Sequence, residues 1–346
     1  MEKVVTEEEL EELGKLIDAS NNVVVCIHVG PDGDAIGSSL FIKHWLERKG
    51  KCVTVIAPNR YPDFLGTLPE ADAVRVYAQN EEELNAVVAK ADLIVVADVS
   101  DSSRLNDLAQ PVTDSKAPKV MIDHHLNPGP FCDITVSQPH MCATGEVLCH
   151  LLHQMGELDT ITAEEAECLY VAMMCDTGAF SYNSNRAEVF ECVCRLLRHG
   201  IDKDEIYRKV FWTWSPARLK LTGYMLYAKM EMMPKMHAAI MSLTNEERRM
   251  LGTQNGDTEG IVNMPLQVKG IKLSVLLSED TEHEGVVKVS MRSVGDVKCN
   301  EICSTYFNGG GHKNASGGRL CCTMEEALEK TRNVVREMSD VLKNAK

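Results

Sequence analysis

Apolar residues in the first half of the chain come in short unbroken runs. Val23-Val24-Val25-Cys26-Ile27, Cys52 to Ile56, Ala91 to Ala97 and Lys119 to Ile122 are each apolar at nearly every position and rich in β-branched side chains. Such runs predict strands buried on both faces, and the helical text between them makes the sheet parallel. That text includes an acidic amphipathic helix over 6–18, with Thr6 and Glu9 at capping-box spacing, and a helix from Ala35 to Lys49 stopped by Gly50. The pattern then turns helical, over Thr144 to Met155, Thr162 to Met174, Ala187 to His199, and Asp204 to Met230, the last broken by Pro216. Strand text resumes at Ala238 to Leu243, Lys272 to Leu277 and Val286 to Met291, before a closing helix from Met324 to Leu342. The pattern predicts an α/β fold: a parallel-sheet domain over 1–200, a helical linker over 201–234 and a smaller α+β domain over 235–346.

Composition narrows the class. A chain of 346 residues is long for a single core, and 44% apolar content is ample for two. With 51 acidic against 36 basic residues, the net charge of −15 argues against a grip on long nucleic acid. The charge is uneven: residues 260–346 hold 12 Lys+Arg against 11 Asp+Glu, so an anionic ligand is better received there. No apolar run reaches the ~18 residues of a membrane span. The first residues, Met1 to Glu9, lack a signal peptide's layout, which predicts a cytoplasmic protein without a membrane. Thirteen cysteines without a Cys-x-x-Cys pair are expected as reduced thiols, mostly small core hydrophobes.

The polar residues that stand out lie at the carboxyl ends of the predicted strands, where open parallel sheets receive ligands. The first strand runs into His28, Asp32 and Asp34, the third into Asp98, and the fourth into Asp123-His124-His125; Asp176 follows a helix. Each motif alone is ordinary, since Asp-x-Asp caps helices and His-His is common on surfaces. Together they gather carboxylates and imidazoles without a lysine or arginine, a repulsive set that divalent cations relieve. Hard oxygen plus imidazole favours Mn²⁺ or Mg²⁺ over structural zinc. Paired cations activate water for attack on phosphorus. In the second half, Gly309-Gly310-Gly311-His312 lets backbone N–H groups approach a phosphate or base, and Arg292 suits a bidentate phosphate clamp.

Motif order and spacing from about 23 to 318 resemble the DHH phosphoesterases, whose signature is Asp123-His124-His125. Arg292-Ser293 and Gly309 to Gly318 resemble the domain that accompanies one branch of that family, and the nearest subgroup is the nanoRNase/pAp phosphatase-like proteins. The resemblance implies one cation on His28, Asp32 and Asp98, and a second on Asp34, Asp98, His124 and Asp176. It places Asp123 behind the ligands as an orienting group, His125 near the phosphate or leaving oxygen, and Arg292, Ser293, Gly310, Gly311 and His312 on the substrate. Gly30, where the family commonly has a polar residue, alters no ligand. The implied enzyme is a two-metal hydrolase in the cleft between two domains, acting on short RNA, linear dinucleotides or pAp, with Mn²⁺ ahead of Mg²⁺ and a homodimer plausible. Alternatives are a cyclic dinucleotide phosphodiesterase, an inorganic pyrophosphatase, which lacks the Gly-Gly-Gly-His element, and a nucleotide sensor without turnover, against which the full ligand set speaks.

Overall fold

The computed structural model describes residues 1–254 and 256–345. It divides into two units, Met1–Thr213 and Trp214–Lys346. The first contains α1 (Glu7–Ala19), β1 (Asn22–Cys26), α2 (Gly33–Arg48), β2 (Cys52–Ala57), β3 (Arg75–Val76), α3 (Glu81–Ala89), β4 (Leu93–Ala97), α4 (Ala109–Asp114), β5 (Lys119–Asp123), β6 (Ile134–Ser137), α5 (Thr144–Met155), α6 (Ala163–Asp176), α7 (Ala187–Arg198) and α8 (Lys203–Phe211). Its six strands are all parallel, in the order β3-β2-β1-β4-β5-β6. The order reverses between β1 and β4, and such a switch point opens a crevice at the strands' carboxyl ends.

The unbroken apolar runs are explained by burial on both faces. Val23, Val25, Val55 and Val95 join Leu40 and Phe41 of α2, Leu148 of α5 and Leu169 of α6 in one core. Val24, Cys26, Ile56, Ile94 and Val96 face the other way, onto Leu84 and Val88 of α3 and Val112 of α4. The edge strands β3 and β6 escape the sequence pattern because one has two residues and the other, Ile-Thr-Val-Ser, is partly exposed.

A notch of small residues brings three helices together near the site. A Cβ on Gly37 of α2 would lie 2.6 Å from the Cys168 carbonyl oxygen and 3.1 Å from the Ala172 Cβ, both on α6. A Cβ on Gly145 of α5 would lie 2.7 Å from the same Ala172 Cβ. Replacing a mid-helix glycine by alanine ordinarily stabilises by about 1 kcal/mol. Gly37→Ala is expected to do the opposite, losing about 1–3 kcal/mol through overpacking. Urea unfolding of the variant checks the sign, and a gain in stability would mean that the helices part freely.

The second unit contains α9 (Pro216–Tyr224), β7 (Glu231–Met233), β8 (Ala238–Leu243), α10 (Asn245–Leu251), β9 (Leu273–Glu279), β10 (Val286–Ser293), α11 (Cys299–Tyr306), β11 (Gly310–His312), β12 (Ala315–Cys321), α12 (Met324–Glu337) and α13 (Ser339–Asn344). Its sheet runs β11-β12-β10-β9-β8-β7, with only β8 and β9 parallel. Val287, Val289 and Met291 of β10 pack with Ile302 of α11 and Val334 of α12. On the other face, Met241 and Leu276 pack with Leu221, Met225 and Ile261.

Three local differences from the sequence pattern follow from backbone geometry. The closing helix divides at Met338, whose ψ of −1° ends α12 before α13 begins. The stretch 201–234 is shared, α8 belonging to the first unit and α9 and β7 to the second. Gly310 and Gly311 of the glycine run belong to a short strand, β11, that the sequence pattern does not mark. No disulfide joins the cysteines, and among the described residues no helix is long and apolar enough to cross a membrane.

Candidate metal centre

Each candidate ligand of the first unit is delivered by the end of a regular element. β1 runs into His28, β4 into Asp98, β5 ends on Asp123 and passes to His124 and His125, and α6 ends on Asp176. Asp32 is the N-cap of α2, its Oδ1 accepting the Asp34 and Ala35 N–H groups at 3.0 and 3.1 Å. The ordinary reading of that Asp-x-Asp is therefore true, and it does not compete with a ligand role, because capping fixes the carboxylate beside His28.

These ends converge. Three groups of ligand atoms lie within 4.8 Å of one another: His28, Asp32 and Asp98; Asp34, His124 and Asp176; and Asp98, His124 and His125. Asp98 links the first group to the third. Its Oδ2 is 3.2 Å from His28 Nε2, and its Oδ1 is 3.6 Å from His124 Nε2 and 3.4 Å from His125 Nδ1. His124 Nε2 also lies 3.7 Å from Asp34 Oδ2 and 3.2 Å from Asp176 Oδ2. Asp98 and Asp34 are each only 1% exposed.

The imidazoles are oriented as metal-ligating histidines are. His28 Nδ1 faces the Val29 carbonyl at 2.9 Å and His124 Nδ1 the Met141 carbonyl at 3.2 Å, so each donates there. That leaves Nε2 of both rings aimed at carboxylates. His28 Nε2 and Asp98 Oδ2 are buried without a hydrogen-bond partner. Unsatisfied polar atoms inside such a group are what a cation would satisfy. Asp98 also has φ of 59°, a left-handed conformation that costs a non-glycine residue about 1–3 kcal/mol and concentrates at functional sites.

Without cations the groups hold one another in unusual protonation states. Burial works to lower the His28 pKa, but the adjoining Asp32 and Asp98 carboxylates outweigh it and push it up to about 10. His124 rises to about 9, with burial opposed by Asp34, Asp98 and Asp176. Burial, then the neighbouring Asp32 and Asp98 carboxylates, raise Asp176 to about 7 against the pull of His124. At pH 7 both histidines therefore carry protons that a metal must displace. Mn²⁺ uptake at pH 7 is expected to release more than two protons per chain, because Asp176, near its midpoint, and Asp34, raised by burial and by the Asp98 and Asp176 carboxylates, add to the two histidines. Calorimetry in buffers of differing ionisation enthalpy counts them, and a count of zero would mean that the metal binds elsewhere.

Asp123 is fully buried and grips His125 twice, through Nδ1 at 2.8 Å and the backbone N–H at 3.1 Å. Ser38, at the start of a helix and needing no catalytic role there, and Thr144 both stand outside the implied ligand set. Ser38 Oγ donates to Asp34 Oδ1 at 3.1 Å, a contact that the i, i+4 spacing on one helix face signals. Thr144 and Gly145 donate their N–H groups to Asp34 at 2.6 and 3.0 Å, and Thr144 Oγ1 donates to Asp98 Oδ1 at 2.9 Å. The clue in the chain is a helix opening on Ala143-Thr144-Gly145, whose N-cap position has no side chain able to cap it.

The other candidates lie in the second unit. Along β10 the alternation puts Lys288, Ser290 and Arg292 on the face opposite Val287, Val289 and Met291. Arg292 pairs in register with Ala315, which also pairs with His312, and Ser290 pairs with Gly317, opposite Gly310. Arg292, Gly310 and His312 thus share a neighbourhood on the sheet. Gly311, at φ 135°, has room for no Cβ: the atom would meet the Ala315 carbonyl oxygen at 2.7 Å. Ser293 is placed differently, buried, with its Oγ donating to the Val297 carbonyl at 2.6 Å and accepting from Asn314 Nδ2 at 2.9 Å. Asp280, Glu282 and His283 form another carboxylate–imidazole group, but there Asp280 Oδ1 accepts two backbone N–H groups and Oδ2 lies 3.2 Å from Lys288 Nζ, as in a turn clasp.

Residues 22–173 match the N-terminal domain of the DHH family, and residues 237–343 match the DHHA1 domain. A protein of Thermus thermophilus named bifunctional oligoribonuclease and PAP phosphatase NrnA is 30% identical over 319 residues, covering 91% of this chain and 89% of that one. The chain belongs to the DHH phosphoesterase family. A crystal structure of an exopolyphosphatase-related protein from Bacteroides fragilis is 41% identical, with a TM-score of 0.96 over 99% of this chain and 100% of that one. A protein of Listeria monocytogenes named cyclic-di-AMP phosphodiesterase PdeA is 24% identical over 89% of this chain, which spans 46% of its length. DHH proteins are metal-dependent hydrolases, and the convergent carboxylates and imidazoles of this member's first unit could bind metals.

Proposed function

We propose that the chain hydrolyses very short oligoribonucleotides and linear dinucleotides such as pApA to mononucleotides, and pAp to AMP, with two Mn²⁺ ions. The observation that carries this reading is the pair of imidazoles whose Nδ1 atoms donate to backbone carbonyls while both Nε2 atoms face carboxylates, with Asp98 common to the two. The name borne by the Thermus relative, over nine-tenths of this chain, supports the substrate class. His28, Asp32 and Asp98 would hold one ion, and Asp34, Asp98, His124 and Asp176 the other. Bound there, the cations supply Lewis-acid activation of water and charge stabilisation on the phosphoryl oxygens.

The protein's own groups do the rest. Asp123, by taking the His125 Nδ1 proton in a hydrogen bond, restricts proton exchange with the leaving oxygen to His125 Nε2. Arg292 would grip the substrate phosphate with two parallel N–H donors, which a lysine cannot imitate. Gly310, Gly311 and His312 would present backbone and ring donors beside it. A net charge of −15 suits substrates with few phosphates, because a long polymer needs many cationic contacts to offset that repulsion.

Product release from pApA, pAp, cyclic di-AMP and pyrophosphate by the Mn²⁺-loaded protein tests the reading. Mn²⁺-dependent release of AMP is expected fastest from pApA. Cyclic di-AMP as the fastest substrate would move the protein to the cyclic dinucleotide activity, and silence on all four with metal bound would make it a sensor.

A further inference from the structure

The carboxylate of Asp98 serves two groups of ligands, so its orientation decides which oxygen meets which. Side-chain rotamers do not settle this, because the terminal torsion of aspartate is broad and two-fold. Something else must hold the carboxylate plane. Thr144 is fully buried, and its Oγ1 donates to Asp98 Oδ1 at 2.9 Å, while Oδ2 is the oxygen opposite His28 Nε2.

The same residue also opens α5. The N-cap, Ala143, has no side chain to satisfy the first N–H groups of that helix. Those of Thr144 and Gly145 go to Asp34 instead, at 2.6 and 3.0 Å, so a carboxylate from α2 caps α5. The positive end of the helix dipole then faces Asp34. Gly145 permits this approach, since its missing Cβ leaves room for Ala172 of α6. One dipeptide, distant in sequence from both, thereby grips Asp34 and Asp98.

We propose that Thr144 is a positioning residue of the metal centre: its hydroxyl fixes Asp98 Oδ1 so that Oδ2 is turned to His28, and its N–H helps to set Asp34. The proposal rests on the reading of this cluster as a cation site. Thr144→Val keeps the shape and removes the hydroxyl, and Thr144→Ser keeps the hydroxyl and removes the methyl.

Mn²⁺ affinity of the wild-type protein and both variants is read by calorimetry, with thermal melts in EDTA as the measure of folding. The valine variant is expected to bind Mn²⁺ about 10–100-fold more weakly, and the serine variant within about threefold of wild type. Activity of the valine variant should recover in part as Mn²⁺ is raised. Wild-type affinity in the valine variant overturns the proposal, as does equal weakness of a serine variant that melts like wild type. Should the valine variant fail to fold, Thr144→Ala is judged by the same affinities. A wild-type protein that binds Mn²⁺ but cleaves neither pApA nor pAp would overturn the proposed function while leaving the affinity comparison to decide the role of Thr144.

Discussion

Asp98→Asn is expected to abolish turnover and cation binding together. Asp98 is the carboxylate that links the His28 group to the His124 group, and it is only 1% exposed. Burial alone would raise its pKa, but His28, then His124 and His125, hold it far below the usual carboxylate range. It is an anion in this site. Asparagine tolerates the φ of 59° that alanine resists, so it separates loss of charge from loss of fold. A fall of at least about 10³-fold in kcat, some 4 kcal/mol in the barrier, is expected at the Mn²⁺ concentration that saturates the wild-type protein. Metal content after gel filtration is expected to fall with it. Asp98→Ala should show the same loss with added instability. Wild-type turnover in the asparagine variant would sink the two-cation reading.

Why Asp98 was legible in the sequence, and Thr144 was not, has a physical basis. His28, Asp98 and Asp123 each follow an unbroken apolar strand, and the rule that parallel sheets bind ligands at strand ends converts that position into a site. The strands themselves were plain, because burial on both faces requires apolar residues at every position. β6 offers no such run, so the sequence pattern does not announce the helix that follows it as part of the centre. Thr144 meets Asp98 beside the Gly37–Ala172–Gly145 notch, a three-helix contact that no local pattern encodes. The glycine run has a second physical reason besides ligand approach. Gly309 and Gly311 lack room for side chains against the backbone of β12, so part of their composition reflects strand packing. Ser293 follows Arg292 in a motif, yet the alternation of β10 turns the two to opposite faces, with Ser293 buried.

Arg292→Ala should uncouple substrate from metal. The residue lies on the polar face of β10 with Lys288 and Ser290, and its Nη1 donates to the Met291 carbonyl at 3.0 Å. No described acidic side chain forms an ion pair with it, whereas Lys288 lies beside Asp280. A guanidinium retained without an acidic partner in a protein of net charge −15 is suited to an anion from outside. Loss of a bidentate phosphate contact that strengthens as charge develops is expected to cost about 10²–10³-fold in kcat/KM for pApA. Arg292→Lys, a point charge without the planar fork, should recover only part of it. Mn²⁺ affinity should stay at the wild-type value in both variants, because every proposed ligand belongs to the first unit. Loss of metal from Arg292→Ala would mean that the second unit shapes the centre itself. Unchanged kcat/KM would hand the phosphate to another cation on the same face, with Lys288 the first to replace.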